Sequence, residues 1–133
     1  MGLLVDTSVW SLAFRRDAPP AIPEVSELKR ALESGDAVFV TGFILQELLQ
    51  GFNKPKAHDQ IVEYFKSLPL ITPGRDDHIA AAELCNRCRK KGIQIGTIDA
   101  LLAQLCIQHE LEILTTDKDF SYIAEVVPFG IWG

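Results

Sequence analysis

Short unbroken apolar runs alternate along the chain with longer segments whose apolar positions recur every three or four residues. Leu3-Leu4-Val5 is the first run, and a run of this kind ended by a turn signal reads as a strand buried on both faces. Ala37 to Val40, Leu70-Ile71-Thr72 and Ile113-Leu114-Thr115 read the same way. Val126-Val127 is expected as a last strand, kept to an edge by Pro128. The segments between them read as helices. Val9 to Arg16 ends before Pro19-Pro20, and Ile22 to Ser34 carries Val25, Leu28 and Leu32 and stops at Gly35. Thr41 is placed to cap Gly42 to Gln50, whose face is Ile44, Leu45, Leu48 and Leu49. Pro55 starts a helix with Ile61, Val62 and Phe65 inward, which runs until Pro69. Asp76 to Lys91 follows, then a helix capped by Thr97 with Ile98, Leu101, Leu102, Leu105 and Cys106 in one stripe. Asp117 to Glu125 completes the set, packing through Phe120 and Ile123. Strands alternating with helices imply an α/β fold with a mostly parallel central sheet flanked by helices.

No linker, repeat or low-complexity stretch divides the 133 residues, so one domain over 1–133 is expected. No apolar run is long enough for a membrane span, and no basic segment followed by a long apolar region opens the chain. A cytoplasmic setting is the expectation. The net charge of −5 argues against binding nucleic acid through bulk electrostatics. It leaves a nuclease open, because a site built from acids becomes locally positive when it holds a divalent cation.

Three cysteines, Cys85, Cys88 and Cys106, are too few and too odd in number for a disulfide framework. Cys85-Asn86-Arg87-Cys88 has the C-x-x-C spacing, but His78 and His109 make no familiar zinc pattern with it. The pair also falls inside a helical pattern and not at a strand-to-helix turn, so small buried hydrophobes is the reading. The basic run Arg89-Lys90-Lys91 complements a helix C-terminus, with substrate contact as the alternative. Arg15, Arg16, Lys54 and Lys56 sit in expected loops or helix ends and divide in the same way between solvated charge and phosphate contact.

The chemistry lies in the acids. Asp6 follows the first strand and Asp117 the fourth, while Glu47 sits on the flank of an apolar helical stripe and Asp99 in a first helical turn. Each alone has an ordinary explanation, as a helix cap, a dipole-favoured residue or a solvated side chain. Together they occupy positions that a parallel sheet brings to one edge, just past the carboxyl ends of its strands. Converging carboxylates raise one another's pKa and call for a cation, and an oxygen-only donor set suits Mg2+ or Mn2+. Phosphodiester hydrolysis is the natural chemistry of such a set.

At these residues the sequence resembles the PIN-domain family. The carriers are Asp6-Thr7-Ser8 after a short apolar strand, Glu47 in Leu45-Gln46-Glu47-Leu48, Asp99 in Thr97-Ile98-Asp99-Ala100-Leu101-Leu102-Ala103, and Thr115-Thr116-Asp117-Lys118-Asp119-Phe120. Length and motif placement are similar to the VapC-type toxins of prokaryotic toxin–antitoxin systems. The resemblance implies a single Rossmann-like, three-layer domain and a Mg2+-dependent endoribonuclease cutting tRNA or rRNA. It further implies a homodimer held inactive by a cognate antitoxin. Carried over by position, Asp6 and Asp99 are the principal metal ligands, and Glu47 and Asp117 complete the acidic pocket through water-mediated contact or water activation. Thr7 and Thr116 orient acids or water, and Asp119 is a weaker candidate because the second acid of Asp-x-Asp can stay exposed. The alternatives are a PIN nuclease of RNA maturation and a catalytically silent PIN-like module that binds RNA or protein. A haloacid-dehalogenase-like phosphatase would want a second Asp where Ser8 stands, and a receiver domain fits the acid spacing poorly.

Overall fold

The structure is a computed structural model that describes residues 2–15 and 21–133. The expected helix end at Arg16, the Pro19-Pro20 break and Arg16 as a phosphate contact lie outside the described residues. Five strands, β1 (Leu3–Val5), β2 (Val38–Thr41), β3 (Leu70–Ile71), β4 (Glu112–Leu114) and β5 (Gly130–Ile131), form one sheet in the order β3-β2-β1-β4-β5. Every pairing is parallel, with Leu4 opposite Phe39 on one side and Ile113 on the other. Helices α1 (Thr7–Ala13), α2 (Pro23–Ser34), α3 (Gly42–Gly51), α4 (Pro55–Phe65), α5 (Arg75–Lys90), α6 (Thr97–His109) and α7 (Asp119–Val126) cover it.

Burial explains why the strands are short apolar runs with no alternation. All of Leu3, Leu4 and Val5 are buried, as are Ile113 and Leu114, because helices lie on both faces. Helix α6 is the most enclosed, with Ala100, Leu101, Leu102, Ala103, Leu105 and Cys106 all buried. Its two alanines widen the expected stripe into a helix that is apolar on most sides, as a core helix should be. Trp10 anchors the other flank, packed on Phe65 at 4.8 Å between ring centroids and stacked on Phe14 at 5.9 Å.

Local signals account for most boundaries. Thr41 ends β2 and caps α3, its buried hydroxyl accepting the Ile44 N–H at 3.1 Å. Gly35 closes α2 in the left-handed conformation, φ 72°, that favours glycine.

Three expectations need correction. Val126 is the last residue of α7 and not a strand residue, because Phe120, Ile123 and Val126 continue one buried helical stripe. The edge strand comes two residues beyond Pro128, at Gly130–Ile131, where a Cβ on Gly130 would lie 3.0 Å from Glu112 Cγ. Thr97 does not cap α6: Gly96 is the cap residue, its carbonyl accepting Ala100 N–H at 3.0 Å, and Thr97 is the first helical residue. Helix α7 begins at Asp119, which leaves Asp117 in the preceding turn.

The sheet order fixes where chemistry can collect. From β1 the chain moves to β2 and β3 on one side, and later to β4 and β5 on the other. The switch point is therefore the crevice past the carboxyl ends of β1 and β4. Asp6 and the Thr115–Asp117 turn open there, tied by the Asp6 N–H to Leu114 C=O bond of 2.9 Å.

Candidate active site

Asp6 stands at the cap position of α1, but its backbone and side chain do different things. Its carbonyl starts the helix, accepting Val9 N–H at 3.1 Å and Trp10 N–H at 3.3 Å, while its carboxylate makes no cap bond. The Oδ2 atom instead accepts two hydroxyls, Ser8 Oγ and Thr115 Oγ1, both at 2.9 Å. Each hydroxyl has one proton and gives it to Asp6, so each oxygen is left as an acceptor. Ser8 Oγ takes the Thr116 N–H at 3.1 Å, and Thr115 Oγ1 takes the Asp117 N–H at 3.0 Å. Two parallel chains of hydrogen bonds thus run from the turn after β4 through a hydroxyl to one oxygen of Asp6, each bond polarising the next. At 8% exposure this carboxylate needs those donors, since a buried charge without them is costly.

The remaining acids come from α3, α6, the turn after β4 and the start of α7. Asp99, in the first turn of α6, Asp117 and Asp119 each place a carboxylate oxygen so that all three lie within 4.8 Å of one another. Asp117 is steadied by the Asp119 N–H, which its Oδ1 accepts at 2.9 Å. Glu47 is exposed on α3, outside that group, and accepts the hydroxyl of Thr7, the neighbour of Asp6, on Oε1 at 3.2 Å. Asp99 feels all of them. Burial first, then the charges of Asp117, Asp6, Asp119 and Glu47, push its carboxyl up to about 6.

Of the four predicted acids, Asp99 and Asp117 lie in the tight cluster, while Asp6 and Glu47 stand outside it, near enough for their charges to act on Asp99. Asp119 belongs to the tight cluster although its side chain is exposed, because the turn that frees Asp117 also aims Asp119 at Asp99. Thr7 enters through its hydroxyl and Thr116 through its backbone N–H. The hydroxyl cradle of Ser8 and Thr115 escaped sequence reasoning, which offers Ser8 as a candidate cap of the first helix and Thr115 as the end of a strand. A usable signal existed: a hydroxyl residue within three positions of the end of each of two adjacent central strands.

The donor set suits a hard divalent cation. It is all oxygen and comes from converging carboxylates, and Asp99 is raised first by burial and then by the neighbouring negative charges, whose repulsion a cation would relieve. The cysteines offer no rival centre. All three are free thiols, with Cys88 and Cys106 buried, and burial pushes the Cys106 thiol up to about 12, far from a reactive thiolate.

A parallel α/β sheet with an all-carboxylate cluster at its switch point defines the class: a Rossmann-like domain with an acidic site where the strand order reverses. The PIN domain family model matches residues 3–126, and the chain belongs to that family. Ribonuclease VapC1 of Rickettsia felis is 34% identical over 131 residues, spanning 92% of this chain and 91% of its own length. Ribonuclease VapC11 of Mycobacterium tuberculosis is 31% identical over 128 residues, spanning 93% and 92%. Among solved structures, VapBC2 of Rickettsia felis bound to a promoter DNA fragment superposes with a TM-score of 0.74 at 18% identity, over 99% of this chain and 98% of that one. The sarcin–ricin loop-cleaving toxin VapC20 of Mycobacterium tuberculosis gives 0.66 at 19%, over 95% and 97%. These two likenesses concern the fold.

Proposed function

We propose that this chain is an endoribonuclease and the toxin of a VapBC-type toxin–antitoxin pair, using Mg2+, with Mn2+ as a substitute, to cut tRNA or rRNA. One observation carries the reading: carboxylates from the start of α6, the turn after β4 and the start of α7 converge where the sheet order reverses, within the field of Asp6 and Glu47. The likeness to VapC ribonucleases across more than nine-tenths of the chain supports the substrate class. Asp6 and Asp99 would be the principal metal ligands, with Asp117 and Asp119 closing the cluster. When bound, the cation supplies a polarised phosphoryl oxygen and a more acidic water.

The chain's own residues supply position and proton transfer. Ser8 and Thr115 occupy Asp6 Oδ2, which leaves Oδ1 for the cation. Thr7 holds Glu47 Oε1, so Oε2 is free to accept the proton of the attacking water. Asp119 N–H orients Asp117 through Oδ1. Thr116 acts through its backbone, fixing Ser8. The active form is a homodimer of single 1–133 PIN domains in the cytoplasm, restrained by a cognate antitoxin protein. No described helix is long and apolar enough to cross a membrane.

The test is cleavage of total RNA by antitoxin-free protein with Mg2+ or Mn2+ against EDTA, beside Asp6→Asn purified identically. Discrete fragments from wild type alone, lost in EDTA, are the expected result. Absence of metal-dependent fragments, together with no growth arrest on induced expression, would overturn the nuclease and leave a silent binding module.

A further inference from the structure

Beside the acids lies a groove of 360 Å³ between α5, the start of α6 and the start of α3, and the scheme above makes no use of it. Phe43, Asn86, Arg89, Thr97 and Ile98 are among the residues that line it. We propose that it is a nucleobase subsite: it takes one unstacked base of single-stranded RNA next to the scissile phosphate, with Phe43 as the stacking surface and Asn86 and Arg89 as its polar contacts. The proposal rests on the nuclease reading and adds to it which form of RNA the site accepts.

Position comes first. Among the described residues no acid lines the groove, but Thr97 and Ile98, which line it, share the first turn of α6 with Asp99. Phe43 stands four residues before Glu47 on α3, on the same face and about 6 Å along the axis. A base seated against Phe43 therefore belongs to a nucleotide whose backbone passes the acids.

Chemistry comes second. Phe43 is 37% exposed although it sits in the first turn of a helix whose Ile44 and Leu48 are fully buried, so core packing does not account for it. Arg89 donates from Nη1 to Asn86 Oδ1 at 3.3 Å, and both residues line the groove, with the Asn86 amide N–H groups and the rest of the guanidinium unpartnered among the described residues. Among the described residues Arg89 makes no ion pair. An aromatic face, a planar cation and an amide are the groups that hold splayed bases of single-stranded RNA, whereas the edges of duplex RNA are out of reach of such a slot.

Size and charge favour RNA over a protein segment. The volume lies at the small end for ligand pockets and suits one planar ring, not a turn of helix. On a chain of net charge −5, a cation beside the acids is where a phosphate-bearing strand can be held locally.

The test uses Asp6→Asn protein, which leaves RNA intact, and anisotropy of fluorescein-labelled oligo-A and oligo-U against an A·U duplex. Adding Phe43→Ala should weaken single-strand binding by about tenfold or more, with Phe43→Tyr restoring it and duplex binding unchanged. Arg89→Ala should weaken binding and lower the slope of log affinity against log salt by about one. Unchanged single-strand affinity in Phe43→Ala would overturn the subsite. So would an equal loss for duplex, or an effect confined to antitoxin affinity or to dimerisation in light scattering. Because the titration needs no cleavage, a failed cleavage assay defeats the nuclease reading alone, while a failed titration beside active wild type defeats the subsite alone.

Discussion

Helices α5 and α6 begin with the same local chemistry and put it to different uses. Each starts after a glycine in extended backbone, Gly74 and Gly96, and each carries an aspartate three residues on, Asp77 and Asp99. Asp77 reaches back and accepts the Gly74 N–H at 2.8 Å, satisfying one of the amides that a helix start leaves unpaired. Asp99 makes no such bond. It sits half-buried among four other acids, and its carboxyl is pushed up to about 6. One aspartate serves its helix, and the other is held against electrostatic preference at the place where β1 and β4 diverge. Among the described residues no donor meets Asp99, and a carboxylate held that way is a candidate functional group.

The sharpest way to break this comparison is to neutralise each aspartate in turn. Asp99→Asn should reduce metal-dependent RNA cleavage by roughly 10²-fold or more, the scale of losing one electrostatic contact in a nuclease site. It should also raise the melting temperature of metal-free protein at neutral pH. The sign follows from linkage. With the folded pKa raised from 3.8 to about 6, the folded state binds the proton more tightly than the unfolded one, so this aspartate lowers stability as pH climbs through that window. The advantage of Asp99→Asn should therefore be full above about pH 6 and vanish below about 4, as read by thermal melts across pH. Added Mg2+ should raise the melting temperature of wild type and not of Asp99→Asn. Asp77→Ala should do the reverse on every count: cleavage and the Mg2+ response retained, and stability lowered by about 0.5–1 kcal/mol at neutral pH. A stabilising Asp77→Ala or a destabilising Asp99→Asn would erase the distinction.

A second contrast is smaller. Asp6 is as central as Asp99 but is met by two hydroxyls. Removing either donor, by Ser8→Ala or Thr115→Val, should reduce cleavage by about 10- to 100-fold, as for other groups that orient a ligand. Loss of a hydrogen bond to a charged group should also cost about 1.5–3 kcal/mol in urea unfolding. Full activity in the folded double variant would show that Asp6 needs no cradle. The smallest effect is expected far from both aspartates. Cys85→Ala should leave cleavage and its metal dependence unchanged, and so should Cys88→Ala, despite its buried position. A loss of metal-dependent turnover in either would return the C-x-x-C pair to the site.

Much of this was legible in the residues. Leu3-Leu4-Val5 and Ile113-Leu114 read as strands because a run buried on both faces must be apolar throughout, and Thr41 and Gly35 read as helix ends because their chemistry is local. Asp6, Glu47, Asp99 and Asp117 could be singled out from spacing against strand and helix ends. The strand at Gly130–Ile131 could not, since two residues carry no periodicity and the pairing depends on how closely Gly130 approaches Glu112.

What the sequence determined by itself is thus the alternation of elements, the parallel α/β class and the acids as a group, all of which rest on interactions a few residues long. Tertiary structure alone decided which Gly-x-x-Asp is a cap and which is a site. It also decided that Ser8 and Thr115, 107 residues apart, share one carboxylate oxygen, and that Asp119 joins the cluster. The physical reason is the same in each case. Burial and the field of distant charges are properties of a place in the fold, and one local sequence can be carried to two such places.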